Sequence, residues 1–150
     1  MTEQVQQILA EFGRGIGLDG LALDANGYCC LGFDEVVVNI EWVPRSEQLM
    51  LYCHLGFAPA QAEAAWYREL LEANHFFRGT GGATLGVDPA TQAVALVQPL
   101  ALAALTPARL EAELQGFVDG AEAWVQRLRS PAAPAAGGDF AMPMFQGLRA

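Results

Sequence analysis

The feature that most constrains this chain is the period of its apolar residues, which switches four times between helical spacing and strand alternation. Val5, Ile8, Leu9, Phe12 and Ile16 recur by threes and fours and predict a helix over about residues 2–15, with Thr2 placed to cap its start and Gly13, Gly15 and Gly17 crowding its end. From Tyr28 the period becomes two. Runs at about Tyr28–Phe33, Val36–Val43 and Gln48–Leu55 are separated only by Asp34-Glu35 and Pro44-Arg45-Ser46-Glu47, so they read as antiparallel hairpins. Pro59 opens a second helical stretch through about Asn74, with a stripe of Ala62, Ala65, Trp66, Leu70 and Ala73. Ala83–Val87 and Ala93–Val97 flank the turn Asp88-Pro89-Ala90-Thr91 as another strand pair. Thr106-Pro107 then caps the longest helix, whose stripe runs through Leu110, Leu114, Phe117, Ala121, Trp124, Val125 and Leu128 and which stops at Pro131. The order α-β-β-β-α-β-β-α predicts an α+β fold, an antiparallel sheet packed against helices.

A chain of 150 residues, 53% hydrophobic, supports one domain and one core without metal or disulfide staples. Seventeen acidic residues against eight basic ones give a net charge of −9, and all eight basic residues are Arg. That balance argues against nucleic acid and anionic membrane as partners, because both attract clustered positive charge. The longest apolar stretch, Ala93 to Leu105, is interrupted by Gln98 and Pro99 and is too short to span a bilayer, so no membrane insertion is expected. The first residues lack a basic region followed by an apolar one, and the three cysteines are an odd number; both favour a cytoplasmic setting.

The residues of chemical interest do not form a reactive constellation. Cys29, Cys30, Cys53, His54 and His75 lack metal-ligand spacing, and neighbours on a strand point to opposite faces. Gly79-Thr80-Gly81-Gly82 follows a helix and leads into a strand, the reverse of a phosphate loop, and carries no Lys. Glu69 with Glu72 and Glu111 with Glu113 read as solvated helix surface. Neither an enzyme, a metal nor a cofactor is therefore expected, and the surface becomes the useful property of the chain.

The run from Leu70 to Asp88, Leu-Leu-Glu-Ala-Asn-His-Phe-Phe-Arg-Gly-Thr-Gly-Gly-Ala-Thr-Leu-Gly-Val-Asp, followed by Val94–Val97 and Pro99-Leu100, resembles the central signature of class I type III secretion chaperones, the Tir-chaperone-like family. The late helix with Leu114, Phe117-Val118, Ala121-Glu122 and Trp124 is similar to that family's closing helix, and the element order agrees. The resemblance implies a chaperone-like domain over residues 1–130, followed by a flexible Ala/Gly/Pro-rich tail over 131–150. It implies a cytoplasmic homodimer that binds the N-terminal segment of a secreted effector in extended form and keeps it secretion-competent, with the export ATPase as a further candidate partner. Mapped onto this chain, the dimer surface falls on Ala62, Trp66, Leu70, Ala83, Leu85 and Val87. Ile8, Phe12, Leu31, Phe33, Val37, Val43, Met50 and Tyr52 are candidates for effector binding, with ordinary core as the competing reading for each.

Two other readings stand beside it: an adaptor or regulator of this fold that binds a folded partner, and, against the lack of a reactive constellation, a small-molecule enzyme using Cys53, His54 or His75. The apolar tail segment Phe140-Ala141-Met142-Pro143-Met144-Phe145 is compatible with folding over an empty client site, docking on a partner, or lacking structure.

Overall fold

The computed structural model describes residues 2–130; the expected tail over 131–150 lies outside the described residues. Helix α1 spans Thr2–Gly15, followed by strands β1 (Tyr28–Phe33), β2 (Val36–Val43) and β3 (Gln48–Gly56), helix α2 (Glu63–Asn74), strands β4 (Thr84–Val87) and β5 (Val94–Ala101), and helix α3 (Pro107–Arg129). All strand pairs are antiparallel, in the order β1-β2-β3-β5-β4. The α+β architecture expected from the apolar period is the one observed.

Alternation along β2 buries Val36, Val38, Ile40 and Trp42 on one face and leaves Val37 and Glu41 exposed on the other. The buried face continues through Leu49, Leu51, Cys53 and Leu55 of β3 and is covered by α3, on which α1 packs. No described element covers the opposite face, which carries Val37, Asn39, Glu41, Val43, Met50, Tyr52 and His54. In α3 the Thr106 hydroxyl accepts from the Arg109 amide at 3.1 Å, with Pro107 at the first helical position, as the sequence predicts.

Two boundaries differ from the sequence expectation by more than one residue. The stretch after Pro59 first makes a 3₁₀ turn at Ala60–Ala62, and α2 begins only at Glu63, because Ala62 adopts φ −142°, ψ 36°. Strand β5 runs on to Ala101 through Gln98 and Pro99. Proline is accommodated there because β4 pairs only with Val94–Val97, leaving Pro99 a neighbour, Met50, on one side only.

The connector between α2 and β4 is locked to the core at two points. The Trp124 indole, fully buried, donates from Nε1 to the Gly79 carbonyl at 2.8 Å. A Cβ on Gly79 would stand 2.6 Å from Ala73 Cβ and 3.0 Å from Ala73 Cα. Because part of that obstacle is backbone, Gly79→Ala is expected to cost about 1–3 kcal/mol, read as a lower Tm. An unchanged Tm would show that the connector can move aside.

Candidate functional site: an open sheet edge

A five-stranded open sheet has two edges, and here they are finished differently. On β4, the Asn74 side chain at the end of α2 bonds Leu85 twice: its Nδ2 donates to the Leu85 carbonyl at 2.9 Å, and its Oδ1 accepts from the Leu85 amide at 2.8 Å. That edge is short and is capped at Leu85.

Strand β1 forms the other edge. The Trp42 amide donates to the Gly27 carbonyl at 2.9 Å, which fixes the ladder's alternation. Counting by twos, the backbone groups of Cys29, Leu31 and Phe33 face β2, and those of Tyr28, Cys30 and Gly32 face away. Tyr28 is satisfied by the preceding turn: its amide donates to Asp24 Oδ1 at 3.0 Å, and its carbonyl accepts from the Asp24 amide at 2.8 Å. The amides and carbonyls of Cys30 and Gly32 have no such partner among the described residues. Strand β1, Tyr-Cys-Cys-Leu-Gly-Phe, contains no charge and no proline, the usual devices that keep an edge from pairing.

Side chains beside this edge belong to two surfaces. Phe33, half-buried, lies on the helix-covered side at the far end of β1, while Val37, 53% exposed, lies on the uncovered side of β2. Val43, Met50 and Tyr52 lie further across the uncovered face, in a shallow groove of about 560 Å³ that also includes Glu41, His54 and Val97. The face is tied together by the Tyr28 hydroxyl donating to Asn39 Oδ1 at 2.6 Å and Asn39 Nδ2 donating to the Tyr52 carbonyl at 3.2 Å. Ile8, Phe12 and Leu31 are buried within the protomer. The eight residues considered for effector binding therefore divide into an edge pair, a groove trio and a buried trio.

Of the residues considered for the dimer surface, Trp66, Leu70, Ala83 and Leu85 are buried inside the protomer, where α2 packs on β4. The Arg127 guanidinium lies 4.2 Å over the Trp66 ring and grips Glu69 with two bonds of 2.7 and 2.8 Å. Ala62 is half-buried and Val87 exposed. Leu71, Phe76 and Phe77 present the apolar surface on this side, at 70%, 77% and 53% exposure. Sequence spacing did not single them out, because Leu71 falls off the α2 stripe. Phe76 and Phe77 both have positive φ, 52° and 54°, an uncommon and costly conformation for aromatic residues, and it holds them on the turn after α2.

The cysteines and histidines do not assemble. Cys53 is buried on the helix side and its neighbour His54 is exposed on the other, where its Nε2 lies 3.3 Å from Asp88. Burial pushes the Cys29 thiol up to about 11, with the Cys30 and Asp24 charges adding to it. Burial likewise raises Cys53, so both are thiols rather than thiolate nucleophiles near neutral pH. Among the described residues no group of His, Cys, Asp and Glu could hold a metal ion, and no helix is long and apolar enough to cross a membrane.

Residues 7–125 match the model of the Tir chaperone protein (CesT) family. The chain is 35% identical over 130 residues to the transcriptional anti-antiactivator ExsC of Pseudomonas aeruginosa, covering 85% of this chain and 87% of that protein. It is 26% identical over 122 residues to the Tir chaperone of Escherichia coli O157:H7, covering 81% and 78% respectively. Among solved structures, a chain of the ExsC-ExsE complex superposes with a TM-score of 0.75 at 30% identity, covering 88% of this chain and 98% of that one. A chain of the HopA1-SchA chaperone-effector complex, at 19% identity, shares the fold with a TM-score of 0.71 over 83% and 95%. The open-edged sheet, its helical cover and the Leu70–Asp88 signature thus have one common origin: the chain belongs to the Tir chaperone protein (CesT) family of type III secretion chaperones.

Proposed function

We propose that this protein holds the N-terminal segment of a type III secretion effector in extended form, before export, along the outer edge of β1. The observation that carries this reading is the contrast between the edges: β4 is capped by Asn74, while Cys30 and Gly32 offer two amides and two carbonyls on an uncharged strand. An extended segment added there gains main-chain hydrogen bonds for affinity, and its alternate side chains reach Phe33 on one face and Val37 on the other. The work is binding rather than catalysis, and its setting is the cytoplasm. Relatives solved with an effector, such as SchA with HopA1, support the choice of partner. Limited proteolysis tests it: a client segment digested when alone should survive when mixed with this protein, and equal digestion in both samples would contradict it.

The likeness to a transcriptional anti-antiactivator favours a second reading, in which the same surface engages a folded regulatory partner. A folded partner resists protease alone, so the same experiment separates the two.

The working unit is a homodimer formed on the α2 side. Leu71, Phe76 and Phe77 supply an exposed apolar patch there, while Trp66, Leu70, Ala83 and Leu85 form the packing beneath it. Leu71→Glu combined with Phe76→Asp is expected to weaken self-association about 100-fold or more, since each apolar anchor of an interface contributes about 2 kcal/mol. Tm of the protomer should hardly change, because both side chains are exposed and Asp tolerates positive φ better than Phe. Light scattering at micromolar concentration should then give the mass of one chain; an unchanged dimer would place the interface elsewhere.

A further inference from the structure

We infer that, when no client is bound, the segment Phe140–Leu148 of this same chain occupies the outer edge of β1 and so competes with the client; this rests on the client-binding reading given above. Three observations lead there. The first is the open edge itself, with the outward backbone groups of Cys30 and Gly32 unpartnered among the described residues.

The second is where the described chain ends. The last turns of α3 are fastened to the β1–β2 turn: Gln126 Nε2 donates to Glu35 at 2.6 Å, and Arg129 pairs with the same carboxylate at 3.2 Å. Glu35 is two residues beyond Phe33, so the chain leaves α3 beside the end of the open strand. From Ser130 to Phe140 an extended backbone reaches at most about 33–36 Å. Strand β1 is about 20 Å long. The intervening Pro131-Ala132-Ala133-Pro134-Ala135-Ala136-Gly137-Gly138-Asp139 is a sufficient tether.

The third is the composition of the segment. Phe-Ala-Met-Pro-Met-Phe-Gln-Gly-Leu carries no charge, like the strand it would join, in a protein of net charge −9. Its proline also sets the register. A residue facing β1 must donate an amide, so Pro143 must face away, and Phe140, Met142 and Met144 turn their backbones toward Cys30 and Gly32. In that register Pro143 stands on the new outer edge, where it blocks a further strand from adding to the sheet. The segment thus has the pattern of a single added strand that terminates the sheet.

A segment docked about nine-tenths of the time lowers apparent client affinity about tenfold, because only the vacant fraction is competent to bind. The consequence is selectivity: a client must outcompete the tail, and weakly matching extended peptides are refused.

The test uses full-length chains. Met142→Pro removes an amide that faces β1; Ala141→Pro changes a residue that faces away. Amide hydrogen exchange followed by NMR, with no client present, should find Cys30 and Gly32 protected about tenfold or more in the wild type and in Ala141→Pro, and unprotected in Met142→Pro. Apparent client affinity should rise about tenfold in Met142→Pro alone. Equal exchange at Cys30 and Gly32 in all three proteins overturns the inference. Protection lost on dilution also overturns it, by assigning the edge to the tail of a second copy. Because the exchange measurement uses no client, its outcome is independent of whether the client-binding reading holds.

Discussion

Replacing Trp66 with Ala is expected to destabilise the protomer by about 3–5 kcal/mol, the range for emptying a large buried aromatic site. Trp66 is 1% exposed, and its ring supports both the α2–β4 packing and the Arg127 guanidinium at 4.2 Å. Removing it strips the cation of its aromatic partner and leaves the Arg127–Glu69 pair, whose side chains are 17% and 14% exposed, over a cavity. Against a total stability of about 5–15 kcal/mol for a domain, that loss removes a large share of the margin. Denaturant unfolding should show a midpoint displaced far to lower concentration, with loss of the dimer following only as a consequence. A Trp66→Ala protein that is fully stable yet monomeric would instead make Trp66 a direct subunit contact. Comparison with Leu71→Glu and Phe76→Asp separates support of the patch from membership of it.

The second large effect concerns the edge. Cys30→Pro removes one outward amide and sets a ring where an added strand must lie, while the amides of Cys29 and Leu31 that hold β1 to β2 are untouched. Proline is tolerated on an edge strand when its nitrogen faces outward, so the sheet should persist. The added strand loses one hydrogen bond, and its facing carbonyl is left buried and unpaired. Together these cost about 2–4 kcal/mol, and at 1.4 kcal/mol per factor of ten the client Kd should rise about 30- to 700-fold when Cys30→Pro is made in the tail-released Met142→Pro protein, where no competing segment offsets the loss. Titration calorimetry with a client segment would measure it, with circular dichroism confirming an unchanged sheet. Binding as tight as in Met142→Pro alone would remove the edge from the recognition surface.

Most of the architecture is legible in the sequence because each element carries its own periodicity within one window. The alternation of Val36 to Val43 fixes the pleat of β2, and Thr106-Pro107 fixes the start of α3. What the sequence hides is contact between distant windows. Asn74 reads as the end of a helix, yet its amide closes a sheet edge eleven residues later. Trp124 reads as one more stripe residue, yet it pins Gly79 across 45 residues. The site is harder still. Alternation shows that Leu31 and Val37 point to opposite faces but not which face the helices cover, so a buried residue and an exposed one look equally apolar. Likewise the α2 stripe of Trp66 and Leu70 is the buried side of that helix, and the exposed Leu71 is offset from it by one position. Exposure of apolar groups and vacancy of backbone groups, the two properties that mark a binding surface, are both tertiary.

Amide hydrogen exchange in the tail-released Met142→Pro protein, with and without a saturating client segment, tests the central claim most directly. Pairing of an extended client with β1 predicts that Cys30 and Gly32 become protected on client binding, while the amides of Cys29 and Leu31, already paired with β2, change little. A client bound at saturation with Cys30 and Gly32 still exchanging freely would contradict it.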